Sequence, residues 1–246
     1  FNSDLTSSQV VIASGAKLKA NTLDLVSDAS QLLEVNTAGL SGGLANATVT
    51  QQANTESIDG LSRVGNASLI TIADGAHIEA LNRITVRSDS FIGGYTAGNG
   101  VAGGLSAATI LKSRYLVDQS AAIEISAASL TSSLSVDLNA TTTRNMLTEF
   151  IATAGGVGAG ATVDLITGPT GSGRIELFDG ANISAPAVTL QAADQQVNYS
   201  LKGTAEIGAA VGSAATTLFS NVSASPKITL DAGSRISAGD IRLIAD

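Results

Sequence analysis

Four nine-residue stretches, far apart in the chain, superimpose without a gap. They are Val10-Val-Ile-Ala-Ser-Gly-Ala-Lys-Leu18, Ile70-Thr-Ile-Ala-Asp-Gly-Ala-His-Ile78, Ile175-Glu-Leu-Phe-Asp-Gly-Ala-Asn-Ile183 and Ile228-Thr-Leu-Asp-Ala-Gly-Ser-Arg-Ile236. Each has two apolar residues two apart, a small turn with glycine, a polar residue and a final apolar one. A fifth copy, Ile123 to Leu130, is one residue shorter in the turn. The final apolar residues fall at 18, 78, 130, 183 and 236, so the intervals are 60, 52, 53 and 53. A pattern kept in phase over four intervals marks a repeat architecture, in which each unit buries its apolar face against its neighbours.

More of the unit follows each copy. The pairs Leu23/Leu25, Ile84/Val86, Leu134/Val136, Val188/Leu190 and Ile241/Leu243 alternate with polar or small residues, the period of a half-buried strand. Next comes a glycine-rich element: Thr37 to Gly43, Thr96 to Gly104, Thr153 to Gly160 and Thr204 to Gly212. Short Thr-rich strands close the unit at Thr48-Val49, Thr109-Ile110, Thr162-Val163 and Thr217-Leu218. Helical periodicity is not evident, and frequent Gly, Thr, Ser and Asn disfavour long helices.

A unit of about 53 residues is too short for an immunoglobulin-like sandwich of about 100. It suits an all-β parallel β-helix, or β-solenoid. The expectation is two coils per unit, strand-turn-strand first and the glycine-rich part second. The alternative is a solenoid whose glycine-rich parts protrude as antiparallel hairpins. The chain reads as one continuous solenoid, with repeats at about 1–67, 68–119, 120–172 and 173–225 and a partial one at 226–246. The first repeat carries an extra loop at about Gln51 to Gly65.

Composition agrees. Aromatics are 3% and hydrophobic residues 44%, so the core must be stacked aliphatic side chains. Thirteen scattered Lys and Arg in a chain of net charge −8 give no basic footprint, so nucleic acid is not an expected partner. No apolar run is long enough for a membrane-spanning helix, and membrane insertion is not expected. Phe1-Asn-Ser-Asp4 does not read as a signal peptide, so the chain looks like part of something larger.

Asp74-Gly-Ala-His-Ile-Glu-Ala80, Ile84-Thr-Val-Arg-Ser88 and Thr153-Ala-Gly-Gly-Val-Gly-Ala-Gly160 resemble the repeats of large Gram-negative exoproteins. These are the filamentous-haemagglutinin-like and leukotoxin-like repetitive adhesins. Residues 70–89, 153–163 and 175–194 carry the resemblance best, and it runs more weakly over almost the whole chain. It implies export across the outer membrane, an extracellular or cell-surface location, and a β-helical stalk in cell attachment. Expected partners are neighbouring repeats of the same chain and a host or neighbouring-cell surface; unpaired strand edges at a solenoid's ends would also allow end-to-end association with itself. The family's amino-terminal secretion domain is not recognisable, and no Arg-Gly-Asp is present. Two further functions stay open: a self-assembling fibre or sheath subunit, and a module binding glycans or proteins through the extra loop or the glycine-rich faces.

Catalytic motifs dissolve on inspection, and no enzyme activity is expected. Gly168-Pro-Thr-Gly-Ser-Gly-Arg174 has phosphate-loop glycine spacing, but Arg174 and Ile175 stand where Lys and Ser/Thr belong. Gly98-Asn-Gly-Val-Ala-Gly103 matches a dinucleotide string but is a copy of a repeated turn. His77 is the one histidine, and its equivalents Lys17, Ser129, Asn182 and Arg235 read as outward. Asp74, Asp179 and Asp231 lie in turns, and Glu79, Glu124 and Glu176 on outward strand positions. Thr141-Thr-Thr143 occurs once, which is not an ice-binding ladder. Asn46, Asn66, Asn139, Asn182, Asn198 and Asn221 head Asn-x-Ser/Thr sequences. The polar series that stands out is Asp28, Asp89, Asn139, Asp194 and Asp246. It sits five residues after the first member of each strand pair, except Asp194, which is displaced by one. As a ladder of Asx turns it would cap backbone N–H groups. As stacked carboxylates it would hold Ca²⁺, the one cofactor considered.

Overall fold

A computed structural model describes residues 4–52 and 62–246. It is all-β, with no helix among the described residues. The strands are β1 Asp4–Ile12, β2 Lys17–Gly42, β3 Ala45–Gln52, β4 Ser62–Ile72, β5 His77–Ile125, β6 Ser129–Ser132, β7 Ser135–Leu177, β8 Asn182–Ser184, β9 Ala187–Ser220, β10 Ser223–Ala224, β11 Lys227–Leu230, β12 Arg235–Ser237 and β13 Asp240–Ala245. All thirteen belong to one parallel sheet that winds as a β-solenoid.

The register shows how. Val10 pairs with Ile70, Ile70 with Ile123, Ile123 with Ile175 and Ile175 with Ile228. Every residue therefore sits beside its counterpart one whole repeat away. This corrects the expectation of two coils per unit: one repeat is one coil. Two coils would pair residues about 26 apart, and the glycine-rich part is instead the far corner of the same coil. It bends within a continuous parallel ladder, so the hairpin alternative fails as well. The described coils begin at Asp4, Ser62, Tyr115, Thr167 and Ser220.

The register also realigns two repeat landmarks. Ile84 pairs with Val136, so the third copy of the second strand is Val136/Leu138 rather than Leu134/Val136, and Leu134 is exposed. The glycine elements align not on their threonines but on the corner, where Gly104 pairs with Gly156 and Gly156 with Ala209. The strand misalignment arises because alternation every two residues permits a two-residue slip without changing the face. In the glycine elements Thr153 stands five residues past Thr148, the partner of Thr96, because recurring Gly and Ala there leave the phase unmarked.

Each coil is a flattened loop with two apolar lobes. Ile70, Ile72, Ile78, Ile84, Val86, Ile123 and their stacked counterparts fill the first. Leu111, Phe150, Ala152, Ala161, Val163 and Leu165 fill the second. A smaller cluster of Val64, Ile92, Val117 and Met146 lies between them. The sequence specifies this directly, because β7 alternates buried and part-exposed residues almost without interruption. At the tight turns Gly15, Gly75 and Gly180 hold φ of 69°, 71° and 83°, a region that side-chain-bearing residues avoid. The turns are stitched across coils: Asp74 Oδ1 accepts from Ala127 N–H at 3.1 Å, and the Asp74 carbonyl accepts from Gly15 N–H at 3.0 Å.

Gln52 pairs with Ser113 and Ser62 with Tyr115. Nine residues separate Gln52 from Ser62 where one, Arg114, separates their partners, which accounts for the long first interval. The part of the expected extra loop at 53–61 lies outside the described residues. Gln51, Gln52 and residues 62–65 belong to regular strands.

Candidate functional site

Where the first lobe narrows to a waist, the inward positions turn polar. In the second coil they are Asn66, Ser68, Ser88 and Ser90, each at most 2% exposed. Asn66 Nδ2 donates across the interior to the carbonyls of Ala29 (2.8 Å) and Phe91 (2.7 Å). Ser68 donates to Ser27 O at 2.9 Å, and Ser88 to Ser68 at 2.8 Å. In the third coil Gln119 repeats the role, donating from Nε2 to Ser90 O (2.5 Å) and Thr143 O (3.0 Å). Long inward amides thus strap one limb of the coil to carbonyls of the other. A buried carbonyl needs such a donor.

In the fourth coil the amide's place is taken by Gly171, which pairs with Gln119. Its empty side is filled from above. Arg144 of the third coil and Asp194 of the fourth form an ion pair with side chains 0% and 1% exposed. A Cβ at Gly171 would collide with both Asp194 Oδ1 and Arg144 Nη1. Thr142 Oγ1 donates to Asp194 Oδ1 at 2.5 Å. Arg144 Nε and Nη1 make no hydrogen bond to described residues. This pair was missed in the sequence, although the signal was there. Val136, Leu138, Ala140, Thr142 and Arg144 share one face by alternation. The one-residue displacement of Asp194 from its series flips it inward.

The five-member Asx series is not one ladder. Asp28 pairs with Asp89, but Asp89 pairs with Thr141, and Asn139 sits between Arg87 and Gln191. Asp194 pairs with Thr142 and points inward, and Asp246 is bonded through its backbone to Ala192 and Asp194. The count of five failed in the third copy because it began from Leu134, two residues early. No cluster of three metal-ligating side chains occurs among the described residues. Asp89 is held above the usual carboxylate range, chiefly by burial, with Arg87 opposing at 2.6 Å and Asp28 adding repulsion.

Other candidates resolve into scaffold. Gly168 to Arg174 is parallel strand in β7, and Gly98 to Gly103 is parallel strand in β5, where Gly98 leaves room for the Phe150 ring. His77 Nδ1 meets Ser129 Oγ at 2.5 Å on the outer surface. The Asn66 side chain is buried, so its Asn-x-Ser sequence offers no exposed amide. On the outside of the waist a groove of about 550 Å³ crosses the coils, lined by residues including Asp118, Ser120, Thr170 and Ser172. Thr170 Oγ1 donates to Asp118 at 2.8 Å. Among the described residues Asp118 is the one carboxylate that lines it, and no histidine joins it there.

The fold defines the class: a parallel β-solenoid with one wide coil per repeat. Comparison of the chain with family models, with characterised proteins and with solved structures finds no match.

Proposed function

We propose that this chain is a structural segment of a bacterial secreted or surface adhesin, a stacked wall that carries adhesive parts elsewhere in a longer protein. The observation that carries the reading is the coil-on-coil parallel register of the described residues from Asp4 to Ala245, which shifts by one residue at Ala20/Thr22 and at Arg144/Asn145 and keeps the same apolar ladders in phase, with no cleft of converging catalytic groups among the described residues. The extracellular setting and the role in attachment rest on the repeat resemblance.

One coil per repeat gives this scaffold unusual proportions. Each repeat adds one strand spacing, about 4.8 Å, so four to five layers rise only about 20 Å. The limb from Arg83 to Gly104 is 22 residues long, up to about 70 Å at strand rise. Reach therefore comes only from stacking many repeats, while each repeat contributes broad lateral faces. Small-angle scattering on chains carrying four, eight and twelve repeats tests this. Constant cross-section with about 4.8 Å of added length per repeat is expected; a compact particle or a widening cross-section would overturn it. For the adhesive setting, cells making the full-length protein should display this segment to antibody and lose attachment when the protein is deleted. Absence of surface labelling would remove that half of the reading.

A further inference from the structure

The corner of the second lobe presents a feature that a simple wall does not need. Leu44, Leu105 and Val157 occupy the same register position in three successive coils, and all point outward, 78%, 59% and 58% exposed. Ala210 continues the row, with Val211 beside it at 74% and Leu40 flanking the first coil at 84%. The backbone forces this ridge. Gly104 and Gly156 turn the corner at φ of 159° and 154°, and a Cβ on either would collide with the glycine carbonyl of the coil before it. The residue after each glycine is thereby thrown to the outside, and it is a leucine or a valine.

The surroundings carry little charge. Residues 38–49, 97–111 and 150–163 hold no Asp, Glu, Lys or Arg, and their fourth-coil counterpart, 203–216, holds Glu206 alone. In a chain of net charge −8 the ridge is thus a face on which two copies meet with little like-charge repulsion. We infer that the ridge is a lateral docking surface for a second copy of this chain, joining solenoids side by side. Only another coil stack offers apolar knobs at the same strand spacing, so knobs of one copy seat between those of the other along the axis. Backbone pairing at the corner is already satisfied within the stack, so contact is through side chains and not by adding a strand. Leu105 and Val157, which have a coil on either side, expose roughly 200 Å² between them, about 100 Å² per layer and well below a stable interface for a short stack. Contact over four coils is consequently weak, and it multiplies as more coils align.

This lateral association stands apart from the wall reading, which concerns growth along the axis. The test is sedimentation velocity of the 246-residue chain over a hundredfold concentration range, beside Leu105→Lys/Val157→Lys and, as a folding control, Leu105→Ser/Val157→Ser. Concentration-dependent dimers are expected, weakened at least tenfold by the lysine pair and less by the serine pair, with unchanged β circular dichroism. Cys-free as it is, the chain also accepts Leu105→Cys, which should give a disulfide dimer under oxidation. A chain that stays monomeric at all concentrations, dimers indifferent to the lysine pair, or a monomer that instead floats with phosphatidylcholine vesicles through Leu105 and Val157 would each overturn the proposal.

Discussion

Asp194 shows what one residue does in this interior. Its carboxylate neutralises Arg144 inside the stack, where neither side chain reaches water. Breaking one partner of such a pair leaves a buried charge, so Asp194→Ala should cost about 3–5 kcal/mol in urea unfolding. The double variant Arg144→Met/Asp194→Leu removes both charges and should recover to within about 1 kcal/mol of the parent, because the pair itself adds little beyond its own desolvation. Asp89 behaves oppositely. Burial raises its pKa, so the folded state binds its proton more readily than the unfolded chain, and ionisation works against folding at neutral pH. Asp89→Asn should therefore raise the Tm at pH 7. The advantage should fade on acidification and be gone below the ordinary value of 3.8, where the parent carboxyl is protonated in both states. A thermal melt series from pH 3 to pH 8 reads this directly. Arg144 was legible from strand alternation, and Asp194 from its displacement. What alternation does not show is that the two meet, since they stand 50 residues apart in neighbouring coils.

At the scale of elements, the waist holds because inward amides bridge two limbs that no backbone ladder joins. Gln119→Leu keeps the size but withdraws the donor from Ser90 O and Thr143 O. Two buried carbonyls then lack their partner, and the loss should be about 1–3 kcal/mol, measured by urea denaturation. The apolar ladders at Val10, Ile70 and Ile175 were legible because the tight turn beside each fixes its phase with a glycine at positive φ, Gly15, Gly75 and Gly180. The strand after Leu134 was read two residues early, for lack of such a marker. The same slip gathered Asn139 into an Asx series whose members occupy different faces. The outward salt bridges Lys19–Glu79 and Lys202–Glu149 span neighbouring coils at 3.1 and 2.6 Å, but as exposed pairs they add little to stability.

At the scale of the whole molecule, the length of the coil decides everything else. Repeat spacing was plain in the sequence, but not whether one repeat closes one coil or two, because both bury the same apolar ladders. The wide coil follows from a polar waist strapped by amides and a second lobe in which alanines alternate with Leu111, Phe150, Val163 and Leu165, so that two limbs stay packed over a long distance. It makes the chain a broad, short stack whose corner ridge and lateral faces dominate its surface. Because the chain has no cysteine, the coil length can be tested by disulfide trapping with little background. Glu124 and Glu176 are register partners in adjacent coils, at a separation a disulfide can span. Glu124→Cys/Glu176→Cys should oxidise rapidly to an intramolecular disulfide, while Glu124→Cys/Glu149→Cys, half a repeat apart, should stay reduced. Rapid closure of the second pair with none in the first would contradict a solenoid of one coil per repeat.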